Sequence, residues 1–95
     1  MTRLQKHDTI TRVENVAQRL FEERMLVITP KDSILHRFNQ VGTFIWRLLE
    51  TPKTVEEIFA AVKEHFEVVD DGQAYDEIAG FITKMKEKKL VTIQE

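Results

Sequence analysis

Residues 38–90 read FNQVGTFIWRLLETPKTVEEIFAAVKEHFEVVDDGQAYDEIAGFITKMKEKKL, and this stretch decides the fold. Its apolar residues recur at helical spacing in three runs separated by two breaks. Asn39 suits the N-cap of the first run. Val41, Phe44, Ile45 and Leu48 share one face there, and Trp46 and Leu49 widen it. That predicts a helix nearly surrounded by protein, with Trp46 packed in the core. Pro52 blocks its continuation. Thr54 followed by Glu57 matches a capping box, in which hydroxyl and carboxylate each satisfy a free backbone N–H. The second run shows a narrower stripe, Val55, Ile58, Phe59, Val62 and Phe66, as expected of an outer helix with one buried face. Asp70 and Asp71 open the third run, and Lys84, Lys86, Lys88 and Lys89 close it, both matched to the helix macrodipole. Its core stripe is Ala74, Ile78, Phe81 and Met85. A second row, Tyr75, Ala79 and Ile82, either packs on strands or receives a partner.

Outward from this stretch the chain turns β-rich. Residues 1–13 are polar and expected to be poorly fixed apart from Leu4, Ile10 and Val13. Val16 to Phe21 reads as a strand, with a helix over Glu14 to Glu23 as a rival because Ala, Gln, Arg, Leu and Glu all favour helix. Met25 to Thr29 is a short β-branched run stopped by Pro30, as in a buried strand. Lys31-Asp32-Ser33 is turn chemistry. Ile34 to Phe38 alternates, with Ile34, His36 and Phe38 on one face and Leu35 and Arg37 on the other. Leu90 to Ile93 is a short closing strand or tail. The expected layout is a single domain over 1–95: strands within 14–38 as a small antiparallel meander, three helices over 39–89, and a short C-terminal strand.

The bulk composition narrows the function. Sixteen acidic and fourteen basic residues give a net charge of −2, against the strongly basic patch of a general phosphate-backbone binder. The absence of cysteine rules out disulfides and thiolate metal sites and fits a cytoplasmic protein. The apolar runs are far short of a membrane span. His7, His36 and His65 lack ligand spacing, so no metal is expected. Ser33 has no nucleophile-elbow context. Glu56 and Glu57, like Asp70 and Asp71, are explained by helix capping rather than acid–base chemistry. Gly42, Gly72 and Gly80 form no phosphate-cradling loop. No cofactor and no catalytic residue is expected; the layout is that of a binding module.

The residues around the joints resemble a known family. Phe38-Asn39 leading into a helix with Ile45-Trp46-Arg47-Leu48-Leu49, the Thr54-Val55-Glu56-Glu57-Ile58 start of the second helix, and Tyr75 to Val91 with Phe81-Ile82 and Lys89-Leu90-Val91 are similar to the pattern of pyrroloquinoline quinone biosynthesis protein D. That family, PqqD, includes stand-alone recognition elements for ribosomally made, post-translationally modified peptides. The resemblance covers about residues 14 to 93. It departs at two points: Phe38 stands where the family usually has Leu, and Glu50-Thr51-Pro52 replaces an Asp-Gly exit from the first helix.

The resemblance implies an α+β, winged helix-turn-helix-like fold, a three-stranded antiparallel sheet packed on three helices. It also implies that the leader of a precursor peptide adds as a strand to the edge Ser33, Ile34, Leu35, His36, Arg37, Phe38. Its side chains would dock against Tyr75, Ile78, Ala79, Ile82 and Lys86 of the third helix. The module would present the peptide to a modifying enzyme, typically a radical S-adenosylmethionine enzyme, and catalyse nothing itself. Two other readings stay beside it. The three-helix layout and the Lys84–Lys89 cluster suit a winged-helix DNA-binding regulator, although Asp70, Asp71, Asp76 and Glu77 at the start of the third helix oppose phosphate contact. A structural subunit forming a homodimer through its apolar row or edge strand is the other.

Overall fold

The computed structural model describes residues 4–95. Six strands and three helices follow in the order β1 (Thr9–Arg12), β2 (Ala17–Phe21), β3 (Arg24–Ile28), β4 (Leu35–Arg37), α1 (Gln40–Leu48), β5 (Lys53–Thr54), α2 (Val55–His65), α3 (Asp71–Glu87) and β6 (Val91–Gln94). The strands form two three-stranded antiparallel sheets, β2-β3-β4 and β5-β1-β6. The first is the expected meander. Glu14 to Glu23 contains a strand and not a helix.

The second sheet corrects the expectation for residues 1–13. Among the described residues of that segment, Thr9–Arg12 is a strand held on both sides, by Lys53–Thr54 and by Val91–Gln94. Ile10 is fully buried, and the Asp8 carboxylate accepts the Gln5 amide at 2.8 Å. The order comes from pairing with segments about 45 and 80 residues away, which local composition does not reveal. Met1 to Arg3 lie outside the described residues.

The core lies between the sheets and the helices: Ile10, Val27, Ile45, Trp46, Val55, Ile58, Ile78, Ile82 and Leu90 are all essentially inaccessible. Trp46 is in the core, and its indole N–H donates to Gln18 Oε1 at 2.8 Å, which supplies the partner a buried indole needs. Arg12 lies over the Trp46 ring, 4.6 Å from its centroid, and Arg12 Nε donates to the Trp46 carbonyl at 2.9 Å. Burial lowers the pKa of Arg12, and Glu50 opposes that shift.

The helix starts match their sequence signals. Asn39 Oδ1 accepts from Gly42 at 2.7 Å and Asp70 Oδ1 from Gln73 at 3.1 Å. Thr54 and Glu57 form the reciprocal capping box. The bond from the Thr54 amide, and then that from its hydroxyl, holds the Glu57 carboxyl below its usual range. The carboxylate half of this cap is therefore complete at neutral pH and weakens as acid protonates Glu57, while the Glu57 amide stays on the Thr54 hydroxyl. At the end of α3 the Leu90 amide bonds the Met85 carbonyl and the Lys89 amide the Lys86 carbonyl, a Schellman closure with Lys89 at φ 62°.

The β2–β3 hairpin turns through Glu22 and Glu23, both left-handed at φ 50° and 66°. Two such residues define a type I′ turn, which Asn-Gly fills with less strain. Replacing Glu22-Glu23 by Asn-Gly is expected to stabilise the protein by about 1 kcal/mol, read as a higher denaturant midpoint with an unchanged slope.

Candidate functional site

The hydrogen-bond parity of β4 defines the site. Phe38 N–H donates to the Met25 carbonyl at 2.9 Å, and Thr29 N–H donates to the Ile34 carbonyl at 3.0 Å. Antiparallel ladders alternate, so Ile34, His36 and Phe38 turn their backbone groups toward β3. Leu35 and Arg37 lie between them and direct their N–H and C=O groups away from the sheet. Since β4 is an outermost strand of β2-β3-β4, these groups have no strand partner among the described residues. They are a template onto which a further strand can add.

The approach to this edge is stiffened by side chains. The Thr29 hydroxyl, 1% exposed with its residue, bonds the Asp32 carboxylate and accepts the Ile34 amide at 3.1 Å. Ser33 sits at φ 57° with its N–H on the Thr29 carbonyl, so it belongs to the turn and not to the strand. Ile34 and Leu35 are exposed apolar residues beside the edge. His36 faces the same side as Val27, and its Nε2 is buried without a hydrogen-bond partner.

Phe38 anchors the end of the edge. It is buried, and its ring meets Trp46 of α1 at 5.7 Å and Phe81 of α3 at 5.2 Å, both edge-on. Its carbonyl accepts Arg24 Nε at 2.9 Å. Gly42 lets α1 approach: a Cβ there would lie 2.9 Å from Phe81 Cε1 and 3.3 Å from Phe38 Cβ.

The contact with Phe38 fixes which side of α3 faces β4, and it is not the side expected. Phe81 is half-buried and shares its flank, by helical spacing, with Ala74 and Glu77. The row Tyr75, Ala79 and Lys86 lies on the opposite flank, lining a depression with Leu4 and Ile93. Tyr75 packs edge-on against Phe59 at 5.5 Å. Ile78 and Ile82, each 1% exposed, point into the core. Of the eleven residues expected to meet a peptide, the structure therefore gathers Ile34, Leu35, His36, Arg37 and Phe38 at one edge. It places Ser33 in the adjoining turn, buries Ile78 and Ile82, and moves Tyr75, Ala79 and Lys86 elsewhere. Phe81, read from the sequence as core, is the helical neighbour of the edge. A helical wheel ranks both rows as apolar and carries no sign for which sheet each one faces; the Phe38–Phe81 contact supplies it.

The family model for coenzyme PQQ synthesis protein D matches residues 24–91. The chain belongs to the PqqD family. Among solved structures, TbiB1 in complex with the TbiA(beta) leader peptide is similar at a TM-score of 0.76 and 22% identity, over 85% of this chain and 93% of that one. A lasso peptide synthetase B1 complexed with the leader peptide is similar at 0.71 and 17% identity, over 87% and 96%. No curated protein matches. At these identities the two structures establish a shared fold; this chain has the expected α+β arrangement together with the β5-β1-β6 sheet. Among the described residues no helix is long and apolar enough to cross a membrane, and no His, Cys, Asp or Glu cluster of three or more is placed to hold a metal.

The burial pattern gives paired stability predictions. Ile82→Glu is expected to unfold the protein, because a buried unpaired carboxylate costs several kcal/mol, about 3 or more. Phe81→Ala is expected to leave a folded protein destabilised by about 2 kcal/mol, less than a fully buried Phe. Thermal melts of the two variants check both.

Proposed function

We propose that this PqqD-family chain is a non-catalytic recognition module that binds the leader of a ribosomally made precursor peptide by strand addition to β4. It presents the peptide to a modifying enzyme, in this family a radical S-adenosylmethionine enzyme, in the cytoplasm. The observation that carries this reading is the unpaired backbone edge of Leu35 and Arg37 beside the exposed side chains of Ile34 and Leu35 and the half-buried Phe81. A guest strand gains backbone hydrogen bonds from the edge and side-chain contacts from the flank, which separates affinity from specificity. The solved structures of similar fold were each determined with a leader peptide, which supports the same use of the fold here. The α3 N-terminus, which would meet base edges in a helix-turn-helix, is capped by Asp70 and carries Asp71 paired with Lys63 at 2.9 Å. That arrangement favours a peptide over a phosphate backbone.

The parity of the edge makes the proposal testable without altering a side-chain pocket. Leu35→Pro removes an N–H that faces outward, and proline is tolerated on an edge strand in that orientation. It is expected to change stability by about 1 kcal/mol or less and to weaken leader binding about tenfold or more. His36→Pro removes an inward ladder bond and should destabilise the fold instead. Backbone NMR with the leader of the small peptide encoded beside this gene should shift the Leu35 and Arg37 amides and the Phe81 ring. A folded protein whose β4 amides stay unmoved at saturating leader contradicts strand addition.

A further inference from the structure

We infer that the outward face of the β2-β3-β4 sheet, where arginines and exposed apolar side chains alternate, is the surface on which the modifying enzyme lands through a complementary patch of carboxylates and apolar side chains of its own. This rests on the recognition reading above and names the second partner of the same module.

The face follows from the register. Gln18, Val27 and His36 lie in one cross-strand row, and Gln18 bonds Trp46, so that row faces α1. The alternate positions point the other way. They include Arg19 and Phe21 on β2, Arg24 and Ile28 on β3, and Leu35 and Arg37 on β4. No outward position of the three strands is a carboxylate, in a chain whose net charge is −2. The apolar members stay uncovered: Phe21, Ile28 and Leu35 are 53%, 39% and 59% exposed. Along the strands the apolar pair Ile28 and Leu35 is followed by Arg19 and Arg37 on either side of half-buried Leu26, and then by Phe21 beside Arg24, whose Nε is held by the Phe38 carbonyl, so basic and apolar side chains alternate across the face.

Charge decides among the occupants. A second copy meeting this face through the same face would gather the arginines of both copies with no outward carboxylate to pair them. Nucleic acid gains from the arginines but not from Phe21, Ile28 and Leu35. A protein surface with carboxylates and apolar residues satisfies both components, because guanidinium binds carboxylate in a planar, two-bond fork. The location matches the task. Leu35 and Arg37 belong both to this face and to the edge that accepts the leader. An added strand therefore extends the same sheet, and its alternate side chains join the same face. An enzyme seated there touches module and leader together, whereas one seated on α2 would touch the module alone.

Arg19→Glu and Phe21→Ser test this, since β2 is the strand farthest from the guest edge. Two affinities are measured for each variant: for the labelled leader, and for the purified modifying enzyme encoded beside this gene. The expected result is leader affinity within about twofold of wild type, enzyme affinity lowered about tenfold or more, and wild-type enzyme binding that weakens as salt rises. Far-ultraviolet circular dichroism establishes that both variants are folded. Unchanged enzyme affinity in both folded variants overturns the inference, as does a wild-type protein that binds the leader and ignores the enzyme. Sedimentation showing a wild-type dimer that Arg19→Glu dissolves assigns the face to a second copy and overturns it equally. A wild-type protein that ignores the leader yet binds the enzyme through Arg19 sinks strand addition and leaves the docking face standing.

Discussion

The edge-on contacts of Phe38 with Trp46 and Phe81 hold the molecule in its working shape. Phe38 is the residue at which a strand becomes a helix, so its ring ties three elements at one point. Through Trp46 it joins α1, whose indole in turn holds Gln18 of β2. Through Phe81 it joins α3, which continues through the Lys89 turn into β6 and the second sheet. Aromatic pairs of this kind contribute about 0.5–1.5 kcal/mol each beyond the area they bury. Their larger effect is positional: they set β4 beside α3, while the Gln18–Trp46 and Met25–Thr43 bonds hold α1 on the same sheet.

Phe38 is also the point at which this chain departs from the usual family pattern of Leu before Asn. A leucine fills the same space but offers no ring edge to Trp46 or Phe81. The aromatic substitution therefore adds directional contacts at the base of the edge strand. Gly42 complements it, since any larger residue would press into the Phe81 ring and the Phe38 Cβ.

Much of the fold was legible because its signals are local. Asn39, the Thr54–Glu57 pair and Asp70 announce helix starts through side chains that bond backbone amides three residues on, and all three do so. The 25–38 strands were legible from alternation, and so was the edge between Ile34 and Phe38. The second sheet was not, because Thr9–Arg12 gains its order from Lys53–Thr54 and Val91–Gln94, and nothing within the first thirteen residues encodes that pairing. The side of α3 that meets β4 was misread for a related reason. Two apolar rows on a seventeen-residue helix are equivalent in sequence, and only their orientation relative to the sheets tells them apart. On that account Ile82 lies fully in the core, while Phe81, adjacent in sequence, is half-buried at its border.

Three residues make a very short edge, and its parity gives it a reading frame. Only Leu35 and Arg37 offer outward backbone groups, so any strand that adds there is sampled at every second residue. A guest displaced by one residue would have every side chain turned to the opposite face. A guest displaced by two keeps its facing and, if it is longer than the edge, its bonds as well. Such an edge would behave as a vernier with two marks: it would fix which face of a guest looks toward the helices and leave the position along the strand to the guest's side chains.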